Sequence, residues 1–140
     1  MSACLFCEIA AGAKAAHVVL ETPQVLAFLD YRPVFHGHCL LIPRTHVETF
    51  DELPDALVEP LFREARRLSR AVRAALEAHG TFVAMNNRVS QSVPHLHVHV
   101  VPRRTKDGLR GFFWPRVKYD DDAQMALFRD GIRAAVERER

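Results

Sequence analysis

The sequence predicts an α+β fold: an antiparallel β-sheet of about five strands, one long helix and a C-terminal helix. Three patterns carry that expectation. Residues 17–43 break into short apolar runs with short connections. Residues 55–78 place Leu57, Leu61, Ala65, Leu68, Val72 and Leu76 at intervals of four and three. Residues 81–101 read as strand, polar turn, strand.

The chain has 140 residues, enough for one domain with a proper core and one expected site. Lys plus Arg of 19 against Asp plus Glu of 17 gives a net charge of +2. That balance argues against bulk nucleic-acid binding and for a small anionic partner. The first 30 residues show no charged segment followed by an apolar one, and no run approaches the length of a membrane span, so the expectation is a cytoplasmic enzyme without a membrane partner. Three cysteines in such a chain argue against a disulfide framework.

Taken in order, Cys4-Leu5-Phe6-Cys7 is a C-x-x-C pair near the start of the chain. A redox turn would want it between a strand and a helix of a βαβ unit, which this position does not offer. A zinc site would need two further ligands, for which neutral imidazoles suit thiolates best. His17–Glu21, Val25–Leu29 and Cys39–Ile42 are the first three strands. Thr22-Pro23-Gln24 suits a tight turn because proline pre-sets φ, and Gly37 permits a bend before the third strand. Asp30 follows the run Ala27–Leu29; a carboxylate there can cap a turn, and it is also a natural acceptor for the two hydroxyls of a ribose. His46 follows a strand and a proline, where its ring can turn back toward the rest of the sheet.

The helical segment 55–78 carries Arg63, Arg66, Arg67, Arg70 and Arg73 on other faces, interleaved with Glu59, Glu64 and Glu77. This reads as a solvated face and not as an RNA-binding one. Gly80 is the expected stop, and Pro60 fits only in the first turn or at a kink. Thr81–Met85 leads through Asn86-Asn87-Arg88-Val89-Ser90 into the last strand. Residues 103–119 form a basic segment with Phe112, Phe113 and Trp114 among arginines and glycines, suited to closing over a nucleotide or to packing under the domain or across a dimer. Asp120–Arg140 is the final helix, with Asp120, Asp121 and Asp122 at its start and Arg138 and Arg140 at its end, complementing the macrodipole.

The centre of the chain is Gln91-Ser92-Val93-Pro94-His95-Leu96-His97-Val98-His99-Val100-Val101. In an extended strand His95, His97 and His99 share one face, about 7 Å apart in succession, and Leu96, Val98 and Val100 share the other. Histidine is not a favoured strand residue, so strict alternation points to use of the imidazoles, either as metal ligands or as nucleophile and proton donors.

These residues resemble the His-φ-His-φ-His-φ-φ signature of the histidine-triad (HIT) superfamily, and the layout from Asp30 to His46 is similar to its fragile-histidine-triad branch. The resemblance implies a single HIT domain over residues 1–140, with 103–119 as a basic and aromatic loop, of HIT-like fold and assembled as a homodimer. It implies that His97 is the nucleophile, with His99 and His95 completing the catalytic set. By the same resemblance Phe6 and Ile9 wall the base, Asp30 holds the ribose, and His38 stands at the polyphosphate. Asn86 or Asn87, Gln91 and Ser92 would meet the α-phosphate and leaving group. Some relatives carry zinc on ligands that correspond to Cys4, Cys7, His46 and His95, which implies a structural zinc here. Two departures stand out: the 86–90 loop is shorter than is typical, and Ser90 replaces the glycine that usually precedes the glutamine.

The function implied is hydrolysis at the α-phosphate of a dinucleoside polyphosphate or AMP conjugate. Neutral His97 would attack phosphorus to form a nucleotidyl-imidazole, and water would release the nucleotide. Phosphoramidate hydrolysis, a nucleotide-binding scaffold with weak turnover, and a metallohydrolase holding zinc on all three triad histidines are the competing readings.

Overall fold

The apolar runs of the N-terminal third form β1 (Val18–Glu21), β2 (Val25–Leu29) and β3 (Cys39–Pro43) in a computed structural model that describes residues 4–110 and 116–139. β4 (Gly80–Ala84) and β5 (Val98–Arg103) complete one five-stranded sheet in the order β1-β2-β3-β5-β4, with every neighbour antiparallel. The turn between β1 and β2 closes as the Thr-Pro-Gln composition demands: Thr22 Oγ1 accepts from the N–H groups of Gln24 and Val25 at 3.2 and 3.0 Å.

The sheet is covered on both faces, which is why β2 and β3 lack a simple in-out alternation. On one face Val25, Ala27, Cys39, Leu41, Val98 and Val100 pack with Leu61, Ala65, Leu68 and Val72 of α2 (Asp55–Ala75). On the other, Leu26, Phe28, Leu40 and Ile42 pack with Phe6 of α1 (Leu5–Ala10).

Four expectations are corrected. The short helix α1 was not expected, because six residues offer too little periodicity to register. β5 begins only at Val98, so His95, at a bend where its N–H donates to Val93 C=O at 2.8 Å, and His97 both precede the strand. Gly80 does not stop α2; it is the first residue of β4. The helix ends instead with Glu77 at φ 51° and Ala78 N–H donating to Arg73 C=O at 3.0 Å, a Schellman-type cap built without glycine. Pro60 lies in the second turn of α2, which continues through it.

The chain divides into two compact units, Met1–Asp107 and Gly108–Arg140. The second contains α3 (Asp122–Arg138), whose N-cap Asp121 accepts from Gln124 N–H at 2.8 Å. Phe112, Phe113 and Trp114 lie outside the described residues.

Candidate active site and metal centre

Sheet register brings the chemistry together. Leu40 pairs with His99 and Leu29 with Cys39, so Asp30, just past β2, and His38, just before β3, fall on the same face as His99. Asp30 N–H donates to His38 C=O at 2.9 Å across that gap. His95 and His97, on the run into β5, meet the α1 face, where the Phe6 ring stands edge-on to both at 5.9 and 5.1 Å.

Hydrogen bonds to backbone groups assign the imidazole tautomers, because a carbonyl can only accept and an N–H can only donate. His95 Nε2 lies 2.8 Å from Pro43 C=O, so it carries the proton and Nδ1 is bare. That bare nitrogen faces Cys4 Sγ at 3.3 Å and Cys7 Sγ at 3.5 Å. His97 Nδ1 lies 2.8 Å from His95 C=O, so Nδ1–H donates there and Nε2 keeps its lone pair. The His97 and His99 rings stand 4.9 Å apart. All three triad residues are largely enclosed, with His95 and His97 at 0 and 3 % exposure. Burial lowers the pKa of His95, and it lowers that of His99 to about 4, helped by the neighbouring His97 and His38 and opposed by Asp30. Both are therefore neutral near pH 7.

Cys4, Cys7, His46 and His95 bring their ligand atoms within 4.8 Å of one another, with His46 Nδ1 3.3 Å from Cys7 Sγ. Ordinary Zn–S and Zn–N bonds at a tetrahedral angle put sulfur and nitrogen about 3.5 Å apart, and the sulfur–nitrogen contacts of 3.3 to 3.5 Å here suit that spacing. The Cys7 thiol is pushed up to about 11 by burial and by Cys4, a penalty on adjacent thiolates that a dication would relieve. Cys4 also caps α1, its sulfur accepting from Cys7 N–H at 3.4 Å, so the helix exists partly to present the pair. The three triad imidazoles do not converge on one point: His95 presents its bare nitrogen to the thiols, away from a shared site. A catalytic zinc on all three is therefore not built here.

Other expected residues land differently. Ile9 packs with Phe6 in the α1 cluster. Asp30 caps its turn, with Oδ1 accepting from Arg32 N–H at 2.9 Å, and its Oδ2 lies 3.7 Å from His38 Nε2. His38, expected at the polyphosphate, is instead buried with both ring nitrogens occupied, by Val34 N–H at 3.1 Å and by His99 Nδ1 at 2.9 Å. Asn87 Oδ1 accepts from Phe50 N–H at 2.7 Å, whereas Asn86 is exposed. Gln91, expected near the phosphate, spends its amide on backbone: Nε2 donates to Glu48 C=O at 2.6 Å and Oε1 accepts from Arg88 N–H at 2.9 Å. Asn87 and Gln91 thus shape the loop that carries exposed Ser92. Ser90, the substituted glycine, sits at φ 59°.

Sequence reasoning missed Arg44, whose guanidinium donates to Thr22 C=O, Ala10 C=O and Glu21 Oε1 at 2.8, 2.9 and 2.8 Å, tying the end of α1 to the first hairpin. Its only signal was an arginine between two strand-end features. The carbonyls of Pro43 and His95, which set the tautomers, have no side-chain signature at all.

The HIT domain, as a family, matches residues 11–106. The protein hit of Bacillus subtilis is 40% identical over 113 residues, 79% of this chain and 78% of that protein. The adenosine 5'-monophosphoramidase HNT1 of Saccharomyces cerevisiae is 30% identical over 129 residues, 92% of this chain and 80% of that protein. Among solved structures, a member of the HIT family from Bacillus subtilis superposes with a TM-score of 0.86 at 34% identity, over 95% of this chain and 96% of that one. A zinc-bound histidine triad family protein from Mycobacterium smegmatis does so with a TM-score of 0.72 at 34% identity, over 97% of each.

Proposed function

The chain belongs to the HIT domain family, and on that premise we propose that it is a nucleotide hydrolase cleaving at the α-phosphate of an AMP conjugate or dinucleoside polyphosphate through a covalent nucleotidyl-His97 intermediate. The observation that carries this reading is the tautomer of His97. With Nδ1–H held by the His95 carbonyl at 2.8 Å, the lone pair on Nε2 is free to attack phosphorus without a prior proton transfer. The Nε2–P bond forms as the bond from phosphorus to the leaving oxygen or nitrogen breaks, and water then cleaves the Nε2–P bond. Asp30, 17% exposed at its side chain, takes the ribose, and Phe6 with Ile9 borders the base. Ser92 and Asn86, both exposed at the mouth of the loop, meet the phosphate. Kinship with a protein named as a monophosphoramidase favours an amine leaving group over a phosphate.

Cys4, Cys7, His46 and His95 hold one zinc, which closes a four-ligand tetrahedral site and supplies folding energy, with no open position for an activated water. The protein works as a homodimer, a reading supported by the exposed apolar side chains of Val58, Phe62 and Val83. Three free cysteines fit a cytoplasmic setting, and no helix among the described residues is long and apolar enough to cross a membrane.

Incubation with adenosine 5'-phosphoramidate and with diadenosine polyphosphate, with and without EDTA, tests the reading. AMP should appear from at least one of them, and brief EDTA treatment should not stop it. His97→Asn should lower kcat by at least about a thousandfold and retain nucleotide binding. Binding without turnover in the wild type would leave a scaffold, and comparable kcat in the variant would remove the covalent mechanism.

A further inference from the structure

Asp30, His38 and His99 bring a carboxylate oxygen and two imidazole nitrogens within 4.8 Å of one another. Two histidines and a carboxylate are a familiar donor set for a divalent transition metal. One hydrogen bond decides against that use. The backbone N–H of Val34 points at His38 Nδ1 at 3.1 Å, and a backbone amide can only donate. His38 Nδ1 must therefore be bare, and in the neutral ring the proton then sits on Nε2. That nitrogen, the one facing the cluster, is a donor with no lone pair for a metal.

The same proton has a destination. His38 Nε2 lies 2.9 Å from His99 Nδ1 and 3.7 Å from Asp30 Oδ2. A donor at 2.9 Å requires an acceptor, so His99 Nδ1 is bare and the proton of the neutral His99 ring is on Nε2. Burial keeps both rings neutral near pH 7, so a tautomer, and not a charge, is what the contact selects. The His38 ring is fixed in place, since it is 3% exposed and bridges the 30–38 loop to β5 across a separation of 61 residues.

We propose that His38 is a positioning residue that fixes the tautomer of His99, through the chain Val34 N–H to His38 Nδ1 and His38 Nε2–H to His99 Nδ1, so that His99 presents Nε2–H as a permanent donor beside the nucleophile. The two adjacent rings are thereby made complementary. His97 keeps a bare Nε2 because a carbonyl takes its Nδ1–H; His99 keeps a protonated Nε2 because an imidazole N–H faces its Nδ1. Without His38 the neutral His99 ring would divide between tautomers, and one of them would aim a lone pair at the negatively charged phosphoryl group. The assignment of His99 as donor to that group rests on the reading given under the proposed function; the tautomer itself does not.

Nitrogen-15 NMR of the histidine-labelled zinc-loaded protein near pH 7.5 measures the tautomers directly. His38 and His99 should both be Nε2–H forms, with Nδ1 unprotonated. Finding His99 as Nδ1–H, or as a mixed population, would overturn the proposal whatever the activity. His38→Leu should make His99 a mixture and lower kcat by about 10- to 100-fold with little change in KM, the range typical for loss of an orienting partner. His38→Gln, whose amide places N–H near the position of Nε2, should restore the single tautomer and most of kcat. A purely structural His38 would lower melting temperature in both variants while leaving the His99 tautomer unchanged, and that result also overturns the proposal. So does a second equivalent of zinc bound by the wild type and lost in His38→Leu. If no nucleotide substrate turns over but the NMR result holds, the functional reading fails and the tautomer assignment stands.

Discussion

At the scale of single residues, the structure repeatedly uses side chains in conformations their identity does not advertise. Ser90 at φ 59° and Arg88 at φ 71° hold the turn that delivers the chain into the triad, in the left-handed region that disfavours a Cβ. Ser90→Gly should therefore raise stability by about 0.5–1 kcal/mol, or about 2–4 °C in melting temperature; a lower melting temperature would mean that the serine hydroxyl contributes more than its backbone costs. Protonation supplies a second residue-scale test. The folded pKa of His99, lowered to about 4, lies below the ordinary 6.5, so the unfolded chain binds the proton more tightly. The associated stability is fully present above pH 6.5 and is lost as pH falls from there toward 4, on the order of 2–3 kcal/mol. Melting curves between pH 7.5 and 4.5 should show this fall, and His99→Gln should flatten it. An equal slope in the variant would locate the acid sensitivity elsewhere.

At the scale of elements, α1 is the least self-sufficient piece of the fold. Six residues cannot form a stable helix in isolation. It persists because Phe6 is buried against the sheet, Arg44 grips the Ala10 carbonyl, and the Cys4–Cys7 pair meets His46 and His95. Joint replacement Cys4→Ser and Cys7→Ser should release the zinc and lower the melting temperature by several degrees, because metal affinity at such a site is folding energy. The activity of the folded fraction should fall much less than in His97→Asn, since His97 takes its orientation from a backbone carbonyl and not from the metal. Elemental analysis of protein purified without chelator reads the outcome: below a tenth of an equivalent of zinc per chain, with melting unchanged by EDTA, the metal reading fails.

At the scale of the whole molecule, the large apolar side chains of Phe62 and Val83 remain 47 and 48 % exposed. Exposed apolar side chains of this size suit burial against a second copy. Light scattering on the eluting protein should give about twice the chain mass of 15.9 kDa, and Val83→Lys should shift it toward the monomer. A wild-type mass of one chain would remove the homodimer.

The sequence by itself determined the five strands, the long helix and the triad that identifies the family, because short apolar runs between turn residues, the alternating histidines and the period of four and three are written in the side chains. It also brought Cys4, Cys7, His46 and His95 together through a resemblance, and their ligand atoms do converge. Only the tertiary structure decided the rest. Which nitrogen of each imidazole is bare depends on the carbonyls of Pro43 and His95 and the amide of Val34, backbone groups that every residue possesses and no pattern marks. The helix α1, the cap at Glu77 and the loop-shaping roles of Asn87 and Gln91 likewise arise from contacts between distant segments, to which local propensity is blind.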